Sequence, residues 1–307
     1  MIYDIRQITT CSYASPVAYA RHVLRLTPIN RHAQRVSVSA LQIFPEPAQR
    51  REGRDFFGNR LTWIVLDSPH DKLTVKMSAR IAVNTEAAPT TEETPTWESV
   101  RDKIFTTTDI TPMSPAHFLF PSRLVSLDPE IRAYARESFA PGRVILAGAA
   151  ELMKRIKTDL VYDTGATNVK TTPSMSFALR RGVCQDFAHI MISGLRGIGL
   201  PAAYVSGYLR TVPRPGAERL QGADAMHAWV MVWCGDKAGW IGFDPTNDVL
   251  AADDHVALAI GRDYTDVAPM DGVIVASGGQ RIDVSVNVTP VKPEELLHPS
   301  SHQEFKI

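Results

Sequence analysis

RRGVCQDFAHIMISGLRGIGLP, residues 180–201, reads as a helix with a cysteine at its start. Phe187, Ile190, Met191, Leu195 and Ile198 recur at helical spacing and form one apolar face. Gly199 followed by Pro201 supplies the stop. Cys184 therefore falls in or just before the first turn. Unpaired backbone N–H groups and the positive end of the helix dipole favour a thiolate over a thiol there. Asp186, in the same turn, reads as a helix-stabilising residue. Position alone leaves two readings of Cys184 open: a small first-turn residue without chemistry, or a nucleophile.

A second stretch, DAMHAWVMVWCGDKAGWIGFDPTND (224–248), reads as a β-hairpin. His227, Trp229, Met231 and Trp233 alternate with Ala228, Val230, Val232 and Cys234. A turn at GDKA then leads into GWIGFDP, with Pro245 ending the strand. Antiparallel register puts Asp244 opposite His227 or within about two positions of it. A carboxylate there accepts the proton of one imidazole nitrogen and leaves the other as a base toward a thiol. Two strands would thus present an oriented His–Asp pair to a cysteine at a helix N-terminus.

The chain around these motifs divides by pattern. Residues 1–85 read as an antiparallel β-sandwich. In KLTVKMSARIAVNT, Leu73, Val75, Met77, Ala79, Ile81 and Val83 face one way; RVSVSALQIF and LTWIVL are further strands, and Gly58–Asn59 mark a turn. EAAPTTEETPTW (86–97) reads as a linker. Residues 98–290 read as an α+β unit, opened by helices starting near Thr96 and at Asp128–Pro129, with a longer amphipathic helix in GRVILAGAAELMKRIKTDLVY. Strands return from about residue 202. DGVIVASGGQRIDVSVNV reads as a hairpin turning at Gly278–Gly279, and 291–307 as a tail. Asp253, Asp254 and His255 form a polar cluster that reads as a helix start capped by Asp253, the lesser reading being that they shape the mouth of the cleft.

Composition excludes several function classes. The 307 residues hold 33 Lys plus Arg against 33 Asp plus Glu, which removes the electrostatic argument for nucleic acid or an anionic membrane. The N-terminus lacks the pattern of a signal peptide, and no apolar run approaches the roughly 18 residues of a membrane span, so a cytoplasmic chain is expected. Three scattered cysteines do not form a disulfide framework. Cys234 reads as an inert buried thiol and Cys11 as lying in a loop region without a partner. No Gly-rich phosphate or dinucleotide loop is present. A zinc site built from Cys184, His189, His227 or Asp244 is disfavoured: there is no CxxC pair, and His189 lies about 140° around the helix from Cys184. No metal or other cofactor is expected.

GVCQDFAHIMISGLRGIGLPAAYVSGYL, DAMHAWVMVW and GWIGFDPTND together resemble the core of bacterial transglutaminase-like superfamily proteins of the cysteine-protease type. The flanks fit too: HVLRLTPINRHAQRVSVSALQIF onward is similar to that family's N-terminal β domain, and DDHVALAIGRDYTDVAPMDGVIVASG to its segment after the core. The resemblance implies a papain-like triad of Cys184 as nucleophile, His227 as general base and acid, and Asp244 as orienter. It implies an α+β, papain-like core preceded by the β-sandwich, and acyl transfer through a thioester on a carboxamide or peptide bond. Hydrolysis is favoured, with transamidation open; calcium dependence need not carry over. The oxyanion hole is expected to use the Cys184 N–H plus one unidentified upstream donor. NVKTTPSMSFALRRG, Gln185, Tyr204, Tyr208 and Trp229 are candidates for the substrate cleft. The expected partner is a peptide or protein substrate, and the β domain is expected to flank the cleft or to mediate homodimer contact. The competing reading is a catalytically silent scaffold of the same fold.

Overall fold

The computed structural model describes residues 1–85, 88–211 and 224–291. The N-terminal strands are β1 (Ile2–Val17), β2 (Tyr19–Leu24), β3 (Gln34–Phe44), β4 (Gln49–Arg54), β5 (Arg60–Leu66) and β6 (His70–Val83). The alternation in β6 holds along its length: Leu73, Val75, Met77, Ala79, Ile81 and Val83 are all buried. Helices α1 (Trp97–Ile104), α2 (Pro129–Glu137) and α3 (Ile145–Asp159) follow. Thr96 caps α1 by accepting from the Ser99 N–H, and Asp128 caps α2 ahead of Pro129. Two short parallel strands, β7 (Val161–Tyr162) and β8 (Arg181–Gly182), bracket α4 (Pro173–Leu179).

Immediately after β8 comes α5 (Cys184–Gly197), which packs on a five-stranded sheet. Its strands are β9 (Ala202–Leu209), β10 (Ala225–Trp233), β11 (Trp240–Asp244), β12 (Val249–Leu250) and β13 (His255–Gly261), in the order β12-β11-β10-β9-β13. Ala228, Val230, Val232 and Cys234 enter the core shared with the helices, whereas Trp229 and Met231 enter a core on the opposite face with Ile29 and Phe118. A single turn, α6 (Tyr264–Val267), leads to β14 (Met270–Val275) and β15 (Gln280–Pro290).

The last two strands are not a hairpin. β14 pairs with β2, and β15 pairs with β1, in different sheets: β15-β1-β6-β3 and β14-β2-β5-β4. The C-terminal chain runs back antiparallel beside residues 2–24 and changes sheet where they do, with Ala14 and Ala18 N–H groups bonded to the Gly279 and Val275 carbonyls. The sandwich therefore includes residues 270–290, which sequence patterning assigns to the unit spanning 98–290. Local alternation cannot reveal such pairing, because its partner lies some 270 residues away. The stretch expected as a linker also differs at its end, where Trp97 is buried and the Pro95 carbonyl accepts from the Ile145 N–H.

The sandwich docks on the free edge of the α+β sheet by imitating a strand. The Gln34 side-chain amide brackets Ala257: Nε2 donates to its carbonyl at 2.8 Å, and Oε1 accepts its N–H at 2.9 Å. Asn59 does the same to Ile260, at 2.7 and 2.8 Å. Edge strand β13 thus has its outward backbone groups satisfied by side chains instead of another strand. His255 opens β13 rather than a helix, since VALAIG is buried on both faces between the layers. Cys11 lies in the middle of β1, buried, with its Sγ 3.7 Å from Met270 Sδ, and not in a loop.

Candidate active site

Cys184 is the first residue of α5, so its N–H has no acceptor within the helix. The thiol is half-buried, whereas Cys11 and Cys234 are buried. Burial pushes the Cys234 thiol up to about 12, which fits an inert core residue. The helix start is braced by Asp186, whose Oδ2 accepts the Val183 N–H at 2.8 Å and the Thr167 hydroxyl at 2.6 Å. Burial pushes the Asp186 carboxyl up against these two bonds. A Cβ on Gly182 would sit 2.6 Å from Asp186 Cβ and 2.7 Å from Ser176 Oγ, so only glycine fits before the cysteine. RRGVCQD is thus a single local device for fixing where α5 begins.

His227 lies near the start of β10, opposite Gly207 of β9. The β10–β11 register pairs Val230 with Phe243; one further step puts Asp244 opposite Trp229, diagonal to His227 and two positions along. Side chains at that separation meet, and His227 Nε2 donates to Asp244 Oδ2 at 2.8 Å. The other ring nitrogen is left for the Cys184 sulfur, which lies near enough to favour a charge on His227. Burial opposes a charge on His227, but the Asp244 bond and the Cys184 contact outweigh it and push its pKa up to about 9.

Asp244 is fully buried and saturated with donors. Its Oδ1 accepts the Thr246 N–H at 2.9 Å, and Oδ2 accepts Asn247 Nδ2 at 2.7 Å as well as the His227 donor. Asp-Pro-Thr-Asn is therefore an Asx-type turn that aims its own carboxylate. A further donor is His255 Nε2, 3.2 Å from the same Oδ2. Burial raises the Asp244 carboxyl, yet the bonds from His227, then His255, and the His227 charge hold it well below the usual carboxylate range. His227, Asp244 and His255 are the one group among the described residues with three metal-capable donor atoms within 4.8 Å. Oδ2 already takes three N–H donors, so the arrangement is that of a hydrogen-bonded unit. Cys184 and His189 are not in this group; His189 is buried and takes the Tyr264 N–H at 3.2 Å, and burial pushes its pKa down to about 4.

The expected cleft residues separate. Trp229 packs against both imidazoles, 6.3 Å from the His227 ring and 5.2 Å from His255, whose rings are 6.2 Å apart. Gln185 is buried beside Cys184. Tyr204 is buried against His189 and Tyr264. Tyr208 does not line a cleft: it belongs to the sandwich core, where its hydroxyl donates to Gln7 Oε1 at 2.5 Å. Its position on β9 allowed either face, and the sandwich claimed it. Sequence reasoning missed Tyr162, half exposed on β7, whose hydroxyl is pushed up by burial and by the Cys184 charge. It also missed Asn247, which the DPTN turn signals, and it placed His255 in a polar cluster without its contact to Asp244. A surface cleft of about 820 Å³ bordered by Lys103, Pro115, Trp233 and Asp236 contains none of these residues.

With this geometry in place, comparison with known proteins is decisive. Residues 3–82 match the bacterial transglutaminase-like N-terminal region, and residues 132–245 match the transglutaminase-like superfamily. The Mycobacterium tuberculosis protein Rv2569c is 37% identical over 301 residues, covering 96% of this chain and 94% of its own. The chain belongs to the transglutaminase-like superfamily. A Cytophaga hutchinsonii protein whose cysteine-protease name is provisional has the same fold, with a TM-score of 0.74 at 22% identity over 95% of this chain and 92% of its own. A protein-glutamine gamma-glutamyltransferase of Pseudomonas aeruginosa is 30% identical over 127 residues, 40% of this chain and 19% of that protein. As a superfamily member, the chain combines an N-terminal β domain with an α+β core, as its motifs imply. Among its described residues, no helix is long and apolar enough to cross a membrane.

Proposed function

We propose that this protein is a cysteine-dependent amidohydrolase acting on a peptide or carboxamide through a thioester acyl-enzyme. One observation carries the reading: the half-buried Cys184 at a helix N-terminus lies beside His227, which is bonded in turn to a fully buried carboxylate. The Cys184 thiolate attacks the carbonyl carbon, and the Cys184 N–H stabilises the oxyanion. The C–N bond breaks, and the amine or ammonia leaves with the proton from His227. A water then gives its proton to His227 and its oxygen to the acyl carbon, releasing the acid and restoring the thiolate–imidazolium pair. Asp244 holds the His227 ring in one tautomer and supports its charge.

Transfer to an amine uses the same thioester, and the gamma-glutamyltransferase name of the Pseudomonas relative supports that second acceptor. A glutamine-peptide and dipeptide library, assayed with and without an amine acceptor, tests the proposal. Ammonia or amine release without incorporation of the acceptor is expected. Release that survives Cys184→Ala would overturn it.

A further inference from the structure

We propose that His255 is a positioning residue of this site, holding Asp244 and dividing its carboxylate between two imidazoles. The inference rests on the nucleophile reading above and adds a fourth residue to it. Asp244 lies on β11 and His255 on β13, the far edge of the sheet, with β10 and β9 between them. The His255 ring therefore reaches over two strands to meet Oδ2 at 3.2 Å. It packs edge-on against Trp229, with an interplanar angle of 74°. Gly207 on β9 leaves the room: a Cβ there would fall 2.2 Å from the Val256 carbonyl and 2.5 Å from Trp229.

The tautomer follows from the surroundings. His255 Nδ1 accepts the Ala252 N–H at 3.4 Å, so the ring proton sits on Nε2 and points at Asp244. The remaining charged groups near His255 are engaged elsewhere. Asp254 Oδ1 takes Tyr3 Oη at 2.9 Å and Arg210 Nε at 2.7 Å, and Asp253 takes the Thr85 N–H. Tyr3 belongs to β1, so the sandwich pins Asp254, the residue that leads into His255. A polar side chain placed this way does not serve its own strand; it serves the carboxylate. Asp244 Oδ2 then stabilises the His227 imidazolium less than an unshared carboxylate would.

Two near-identical amides separate this role from packing. In His255→Gln the amide N–H takes the Nε2 position and can reach Asp244, whereas in His255→Asn it takes the Nδ1 position and cannot. The probe is the alkylation of Cys184 by iodoacetate relative to iodoacetamide as a function of pH. The anionic reagent is favoured only while His227 is protonated, so loss of its advantage marks the His227 titration, with buried Cys11 and Cys234 as internal controls. We expect the His255→Asn midpoint to rise by about half to one pH unit, and His255→Gln to stay with the wild type. Equal behaviour of the two variants, shifted or unshifted, would overturn the inference while leaving the nucleophile reading intact. A wild-type chain without any iodoacetate preference would overturn both. Imidazole nitrogen NMR of the wild type is a readout that needs no variant: a His255 proton on Nδ1 at pH 7 refutes the proposal, and one on Nε2 supports it.

Discussion

Replacing Asp244 with Asn removes one charge from the site and leaves its volume almost unchanged. Oδ2 accepts from His227, Asn247 and His255 at 2.8, 2.7 and 3.2 Å. An amide NH2 facing those donors must lose at least two of the bonds. The rise in His227 from the ordinary 6.5 to about 9 is worth about 3 kcal/mol. Asp244 supplies the strongest bond behind this rise and a charge effect besides, and the buried pair is little screened by solvent. We assign ~2 kcal/mol of it to the carboxylate, or roughly 30-fold in the population of the Cys184–His227 ion pair. The assay is 2,2′-dipyridyl disulfide at pH 4–5, where only a thiolate held by an imidazolium reacts quickly. Wild type is expected to show one fast thiol per chain, and Asp244→Asn to slow it by about that factor while remaining folded by circular dichroism. A folded variant with an undiminished fast phase would refute the reasoning.

Three further outcomes are expected. Gly182→Ala forces a methyl against Asp186 and Ser176; overpacking and loosened Asp186 bonds should cost about 2–4 kcal/mol in urea unfolding and slow Cys184 alkylation. Gln34→Leu strips Ala257 of both amide partners and should cost about 2 kcal/mol, with Cys184 reactivity unchanged once folded; a wild-type midpoint would refute the edge-docking account. The pH dependence has a definite sign. His227 is raised above its ordinary value, so the stability it contributes is complete below pH 6.5 and fades as pH passes about 9. Asp244 is depressed, so its contribution is present above the ordinary carboxylate range and fades only in strong acid. The stability gap between wild type and His227→Gln should therefore shrink from pH 6.5 to pH 9.5, measured by thermal unfolding; a constant gap would contradict the assignment.

Much of this site is legible in the sequence because its parts are local. The α5 start, the β10 alternation and the Asp-Pro-Thr-Asn turn each announce themselves within a few residues, and hairpin register then brings Asp244 within reach of His227. What escaped depends on distant pairing. β14 and β15 alternate as a hairpin would, yet their partners lie at the other end of the chain. His255 sits in an apolar run consistent with helix or strand, and only the completed sheet carries its ring over Trp229 to Asp244. Tyr208 alternates like a cleft residue but meets Gln7 of a different layer.

The mechanism requires Cys184 to carry the acyl group. A glutamine peptide mixed with the wild-type chain, quenched in acid and mapped by mass spectrometry, tests this most directly. A Cys184 fragment heavier by the peptide less ammonia is expected, formed no later than free ammonia appears and absent in His227→Ala. Ammonia released with no adduct on Cys184, or an adduct that forms equally without His227, would contradict it.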